Sequence, residues 1–351
     1  MRYKILGKHT GLRVSEFVLG TANFGVAWGG HGAAPDEARR ILDTYADAGG
    51  NFIDTANGYQ DGQSEQLVGD LLTGRRDEFV LATKFAVKTD ATSGILVTGN
   101  SRQAMVASVE ASLKRLKTDR IDLYWAHVDD SITPMEEIMR GFDDLVRAGK
   151  ILYAGLSNFP AWRVARAATI AELRGTVPIA AIQVEHSLVQ RAAEQELIAA
   201  ARALGLGAVA YSPMGGGVLT GKYRNHNGEA GRNEAWGGAG FQPENTAQRS
   251  AIIDAVIAVA AEAGVTPGEV AIGWVAARGT LPIIGPRTQK QLESNLAAAR
   301  LALTDEQLAR LDQVSAIPRG YPWTVLDEPR IKDLITGGKF DRIDAPLEPV
   351  A

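Results

Sequence analysis

Eight short apolar runs, each followed by a longer amphipathic stretch, set the strongest limit on what this 351-residue chain can fold into. The runs are residues 17–20, 52–54, 79–84, 121–127, 153–157, 180–185, 208–212 and 282–285. Residues 101–117 show the helical partner most clearly, because Met105, Val109, Leu113 and Leu116 recur at three- and four-residue spacing and mark one buried face. Thr133-Pro134-Met135-Glu136 and Thr266-Pro267-Gly268-Glu269 each read as an N-cap threonine, an N1 proline and a reaching glutamate. Thr304-Asp305-Glu306-Gln307 reads as a capping box, and Gly149 and Gly205 sit where helices end before the next run.

Repeated β-then-α units require a parallel sheet, since parallel strands need crossover helices. A doubly wound open sheet is the rival, and it usually carries a glycine fingerprint after the first strand. Here that place holds Gly20-Thr21-Ala22-Asn23-Phe24-Gly25, which is not G-x-G-x-x-G. A closed (β/α)8 TIM barrel is therefore expected, as one domain over residues 1–351 with 316–351 as a C-terminal extension over or beside it. Residues 3–14, with Gly11 between short apolar pieces, read as an N-terminal β-hairpin that plugs the barrel bottom. Residues 215–245, rich in Gly, Asn and Arg, read as a long functional loop after strand seven.

Barrels of this kind carry their reactive groups at the C-terminal ends of the strands. Asp54, Lys84 and His127 close the second, third and fourth runs, and Tyr59 follows Asp54 by five residues. A phenol keeps its proton until about pH 10, so it is a poor acid at neutrality until a nearby cation stabilises the phenolate. Lys84 can supply that cation, Asp54 can hold it, and His127 can bind the same oxygen that Tyr59 protonates. Taken singly, each has an ordinary structural reading: a packing tyrosine, an ion pair, a satisfied histidine. Four together at neighbouring strand ends point to proton transfer onto a carbonyl oxygen.

The remaining composition excludes several classes. With a net charge of −4 and a pI near 5.8, the chain offers no broad basic field for nucleic acid or anionic lipid. The absence of cysteine excludes disulfides, thiolate nucleophiles and cysteine-ligated zinc. The start, Met1-Arg2-Tyr3-Lys4, lacks the apolar stretch of a secretory signal, and no segment reads as a membrane span, so a cytoplasmic protein is expected. Oligomeric state is not legible, because interface patches need a surface.

At these motifs the chain resembles the aldo-keto reductases. The resemblance runs through Gly49-Gly50-Asn51-Phe52-Ile53-Asp54-Thr55-Ala56, Tyr59, Gly62-Gln63-Ser64-Glu65, Leu81-Ala82-Thr83-Lys84 and Asp122-Leu123-Tyr124-Trp125-Ala126-His127. It continues through Gly155-Leu156-Ser157-Asn158-Phe159, Tyr211-Ser212-Pro213 and Ile284-Gly285-Pro286-Arg287-Thr288, covering roughly residues 1–315. It implies a reversible reduction of an aldehyde or ketone to an alcohol, with hydride from NADPH, Tyr59 as general acid, Lys84 and Asp54 tuning it, and His127 orienting the carbonyl.

The same resemblance implies cofactor contacts. Gly20, Thr21 and Asp54 would approach the nicotinamide, Ser157, Asn158 and Gln183 its carboxamide, and Tyr211 would stack on the ring. Ser212, Pro213, Met214, Gly215, Gly217 and Lys222 would follow the pyrophosphate. Gly216–Lys222 satisfies a P-loop up to its lysine, but Tyr223 stands where a magnesium-binding Ser or Thr belongs. Gly285, Arg287, Gln291 and Asn295 would hold the adenosine end, with Arg287 suited to a 2′-phosphate. Ser294 departs from the acidic residue common before that asparagine, and His186 stands where Tyr is common and is expected to pack beneath the cofactor.

For a small-molecule carbonyl substrate, Phe24, Trp28, Tyr59, Phe85, His127 and Trp236 are expected to line an apolar mouth, with Trp323 placed to close it. Two rivals remain. Asp54, His127, Glu185 and His186 include metal-ligand types, although Lys84 would lie among them and no His-x-His pair exists. An NADPH-binding regulatory or sensor subunit with little turnover is the non-enzyme alternative.

Overall fold

A computed structural model describes residues 1–224 and 242–344. Eight parallel strands close into a barrel: β3 (Val18–Gly20), β4 (Phe52–Asp54), β5 (Val80–Phe85), β6 (Ile121–Ala126), β7 (Ile151–Ser157), β8 (Ile179–Glu185), β9 (Gly207–Tyr211) and β10 (Leu281–Ile284). Closure comes from β10, which pairs with β9 on one side and β3 on the other. Each strand matches one of the eight expected runs to within a residue or two at either end.

Alternation along each strand sorts the side chains. Phe52, Val80, Ala82, Leu123, Trp125 and Val209 point inward with Leu6 and Val14, filling the barrel axis. Leu81, Phe85, Tyr124 and Ile182 point outward, into the shell shared with α1 (Pro35–Asp47), α2 (Gln63–Leu71), α3 (Arg102–Leu116), α4 (Met135–Arg147), α5 (Ala161–Arg174) and α6 (Leu197–Ala203). Helices α7 (Ala247–Ala263) and α8 (Pro267–Ala277), with Leu311 of α10 (Asp305–Val314), bury a further cluster beside β9; α9 (Gln289–Ala297) lies between α8 and α10 in the chain. No single described helix is long and apolar enough to cross a membrane.

The expected hairpin is present. β1 (Tyr3–Ile5) pairs antiparallel with β2 (Arg13–Ser15), and Leu6 behind it is 1% exposed among the inward residues. Gly7 has φ 76°, and a Cβ there would fall 2.6 Å from the Ala180 carbonyl oxygen, so only glycine lets the turn lie against the strand starts.

Helix starts follow the capping chemistry in two of three cases. Thr266 accepts the Glu269 amide with Pro267 at the first turn, and Thr304 and Gln307 form the reciprocal box. Thr133 does not cap α4. Its hydroxyl donates to Asp130 at 2.7 Å, and Pro134 takes the cap position in extended backbone. Gly149 and Gly205 follow their helices with φ 71° and 70°, as the C′ position requires.

Beyond α10, residues 316–344 carry two short helices, α11 (Trp323–Leu326) and α12 (Pro329–Thr336). This stretch is tied back by the Pro318 carbonyl, which accepts from Gln195, and by the Ala316 carbonyl, which accepts from Gln248.

Truncation of Leu6 to Ala is expected to cost about 2–4 kcal/mol of unfolding free energy, while Ile5→Ala, at an exposed site, shifts it by less than about 0.5 kcal/mol. Urea midpoints check this. Equal shifts would contradict a packed plug.

Candidate active site

The C-terminal rim of the barrel brings Asp54, Tyr59, Lys84 and His127 together. Asp54 and Lys84 face inward from the ends of adjacent strands β4 and β5. Tyr59 begins the short turn that leads into α2, and His127 follows β6, where its amide donates to the Phe85 carbonyl at 3.1 Å.

Lys84 is fully buried, and an ammonium there needs every proton satisfied. All three have acceptors: Asp54 Oδ2 at 2.5 Å, the Thr55 carbonyl at 2.8 Å and Tyr59 Oη at 3.0 Å. Asp54 is itself fixed from across the barrel, since Gln183 of β8 donates to Oδ1 at 3.0 Å. Burial opposes the lysine charge, but the Asp54 carboxylate and the Tyr59 oxygen outweigh it and hold its pKa above the ordinary value. Because the Tyr59 oxygen accepts from Lys84, its own proton is left to point toward the cavity.

His127 responds in the opposite direction. Burial, with the Lys84 charge adding to it, lowers its pKa to about 3, so the imidazole is neutral at neutral pH. Its Nδ1 has no partner among the described residues. The loop after it is stiff: Arg163 pairs with Asp129 at 3.0 Å and donates to the Thr133 carbonyl. Burial opposes the Asp130 charge, yet hydrogen bonds from Asn100, Thr133 and Ile132 bring its pKa to about 2.

Two rings stand nearly perpendicular to that of Tyr59. His127 lies 5.9 Å away at 84° and Trp28 lies 6.4 Å away at 79°, centroid to centroid. A cavity of about 660 Å³ opens beside this group. Its wall includes Gly20, Asp54, Ser157, Asn158, Gln183, Tyr211, Ser212, Pro213 and Met214, then Gly217, Lys222, Gly285, Arg287, Gln291 and Asn295.

Residues 16–316, most of the chain, match the sequence profile of the aldo/keto reductase family. The chain belongs to that family. It is similar to the uncharacterised oxidoreductase YrpG of Bacillus subtilis (strain 168), 39% identical over 341 residues, 92% of this chain and 100% of the relative. A Saccharomyces cerevisiae protein provisionally named aryl-alcohol dehydrogenase AAD14 is 34% identical, over 94% of this chain and 91% of its own. Norsolorinic acid reductase of Aspergillus flavus is 32% identical, over 93% and 84%. The protein is thus an oxidoreductase of a family that generally uses NAD(P)H.

Several expected residues take other places in this reductase. Thr21 is fully buried and turns away from the cavity, its hydroxyl bonded to Ser64 and the Asp54 carbonyl. Phe24 sits in the outer shell, where it bridges to Ala33 and anchors the loop after β3. Phe85 points outward and stacks on Tyr124 at 5.0 Å, as the residue next to inward-facing Lys84 must. Gly215 is buried behind the wall against Val189, although its neighbours Gly216 and Gly217 line it. Trp236 lies outside the described residues. Trp323 is not part of the cavity wall and stacks under Arg319 instead. His186 is buried, but against Glu194 and Trp274 rather than beneath the cavity.

The candidate metal ligands do not converge. Asp54 is committed to Lys84 and Gln183, His186 faces Glu194, and no group of three or more such side chains suits a metal among the described residues.

Residues that sequence reasoning missed include Asn23, which donates to the Gly285 carbonyl at 2.8 Å, and Thr266, Gly268 and Ser294. Thr266 and Gly268 had a signal, as the capped start of α8. The start of α8, a helix end that carries partial positive charge, and the side of α9 that bears Gln291, Ser294 and Asn295 both line the cavity. Gly215, Gly216 and Gly217 have φ 58°, 68° and 95°, a glycine turn that brings backbone close to the cavity. Arg287, with its amide held by Gln291 Oε1 at 2.8 Å, stands on the same rim. These cationic and N–H-rich features suit a dinucleotide with phosphates.

His127 has a consequence for stability. Its folded pKa, about 3, lies below the ordinary 6.5. As pH falls through 6.5 the unfolded chain takes up the proton first, so this group removes stability between about pH 6.5 and 3. His127→Gln is expected to flatten that slope in urea midpoints; an unchanged slope would contradict an imidazole kept neutral by the fold.

Proposed function

We propose that this reductase interconverts an aldehyde or ketone and the corresponding alcohol, with NADPH as hydride donor and Tyr59 as the general acid. The observation that carries the reading is the Lys84 ammonium, whose third hydrogen bond ends on Tyr59 Oη at 3.0 Å. A cation so placed stabilises the phenolate left after proton transfer. When bound, a reduced nicotinamide supplies the hydride, which no side chain here can donate.

In reduction the carbonyl carbon receives the hydride and its oxygen receives the Tyr59 proton. Lys84 holds the resulting phenolate, and Asp54, anchored by Gln183, keeps Lys84 in place. Neutral His127 positions the oxygen without competing as a charged acid. Burial, with Glu185 and Tyr59 adding, raises the Tyr211 phenol above the usual range, so it offers a neutral face; it donates to Asn158 Oδ1 at 2.9 Å. Arg287 at the cavity rim supports NADPH over NADH, because a guanidinium suits a phosphate monoester.

An aryl carbonyl is the substrate class this site favours, because the Trp28 indole and the His127 imidazole both line the cavity beside Tyr59 and offer aromatic surface to a ring. The aryl-alcohol name of the yeast relative supports the same class. The complete four-residue group supports turnover over a purely sensing role.

The test is NADPH depletion across a panel of aldehydes, ketones and quinones, with Tyr59→Phe as control. The variant is expected to lose about 10²–10⁴-fold in kcat while binding NADPH as the parent does. Full turnover in the variant would remove Tyr59 from the mechanism, and NADPH binding with no turnover by the parent would favour the sensor.

A further inference from the structure

Gln60, the residue after the proposed acid, lies outside the cavity wall and is 1% exposed. Its backbone is left-handed (φ 51°, ψ 39°), as is that of Asp61 (φ 54°, ψ 39°), which is unfavourable for residues with a Cβ. Two such residues in succession persist where surrounding contacts hold them.

Those contacts all go to one loop, residues 21–34 between β3 and α1. Gln60 Oε1 accepts the Trp28 amide at 2.9 Å, while Nε2 donates to the Ala22 carbonyl at 3.2 Å and the His31 carbonyl at 3.4 Å. One side chain thus bonds the start, middle and end of the loop. The next glutamine in the turn adds a fourth bond, since Gln63 Oε1 accepts the Val26 amide at 3.0 Å. Asp61 Oδ1 accepts the Trp28 indole N–H at 3.3 Å.

The loop is shaped to receive them. Gly25 has φ 118°, and a Cβ there would lie 2.9 Å from the Gln60 Cβ, so glycine is needed for the approach. Gly25 and Ala33 close the loop on itself through the Gly25 amide and the Ala33 carbonyl, 2.9 Å apart. Trp28, carried at the loop's middle, lines the cavity beside Tyr59.

We infer that Gln60 is a positioning residue that latches the Trp28 loop onto the Tyr59 turn and, by placing the indole in the cavity wall, sets the preference of the site for aryl over alkyl carbonyls. The inference rests on the oxidoreductase reading for its selectivity half only. Gln60 reaches the backbone of the loop that presents Trp28, with Asp61 and Gln63 adding to it, so the spacing between that loop and the Tyr59 turn is fixed by these side chains. An amide is required: a carboxylate at this position has no proton for the two carbonyls, and a shorter amide cannot reach the Trp28 amide.

Two readouts test it on the full chain, with Gln60→Asn, whose side chain tolerates the left-handed backbone, and the isosteric Gln60→Glu. The first is hydrogen exchange in the free protein. Exchange of the Trp28 amide is expected to rise about tenfold or more in both variants, and unchanged protection overturns the latch. The second is the ratio of kcat/KM for benzaldehyde over butanal. Gln60→Asn and Trp28→Ala are each expected to lower it about tenfold, and the double variant to fall no further than about twofold below Trp28→Ala. An unchanged ratio in Gln60→Asn, or losses that multiply, overturns the selectivity role. A parent protein that reduces neither aldehyde contradicts the oxidoreductase reading and the selectivity role with it, while the exchange measurement still decides the latch.

Discussion

The arrangement of this protein depends on one buried cation. Removing an ammonium from water costs several kcal/mol even after relaxation, and Lys84 has no exposure at all. The cost is offset only when all three protons meet acceptors and one of these carries a negative charge. Asp54 provides the charge from the neighbouring strand, the Thr55 carbonyl takes the second proton, and Tyr59 Oη takes the third. Closure of the barrel completes the set, because Gln183 reaches Asp54 from the far side of the ring. An open sheet would leave that carboxylate oxygen without its partner.

The same charge organises the surroundings. It disfavours a second cation, and so adds to burial, the larger cause, in keeping His127 neutral beside it. It directs the Tyr59 proton outward, because the phenol oxygen is already engaged as an acceptor. Behind the turn that carries Tyr59, Ser64 ties Thr21 and Thr55 together, and buried Glu65 pairs with Arg115 at 2.6 Å. The run from Gly62 to Glu65 is therefore a scaffold for Tyr59, the proposed acid, and the neighbouring Gln60 ties the Trp28 loop to the same turn. The features suited to a dinucleotide come from the segments after β7 to β10, so in the proposed mechanism proton delivery and nucleotide recognition fall in different sectors of one rim.

Much of this is legible in the residues. Strand runs are readable because most of them end in a polar residue at the rim, Asp54, Lys84 and His127 among them, and the others in Gly20 and Gly285. The departures have specific causes. Phe85 reads as a wall residue because it is aromatic and adjacent to Lys84, yet strand alternation turns it outward onto Tyr124. Phe24 and Thr21 lie in a loop whose folding onto Ala33 and Ser64 is a long-range contact with no local pattern. Thr133 has the spacing of a cap, but Asp130 captures its hydroxyl. Gln60 gives no signal, because two left-handed non-glycine residues in a row are dictated by the loop they hold. Asn23 and Ser294 reach the cavity only through the closed barrel, from opposite ends of the chain.

The central claim is that Lys84 and Tyr59 act as one proton-donating unit. The most direct measurement is a double-mutant cycle on carbonyl reduction with Lys84→Met, Tyr59→Phe and the combined variant, NADPH binding being monitored in each. If the unit is real, the combined variant retains activity within about threefold of the weaker single variant. Losses that multiply would show that the buried ammonium contributes separately from the phenol, and would contradict the account.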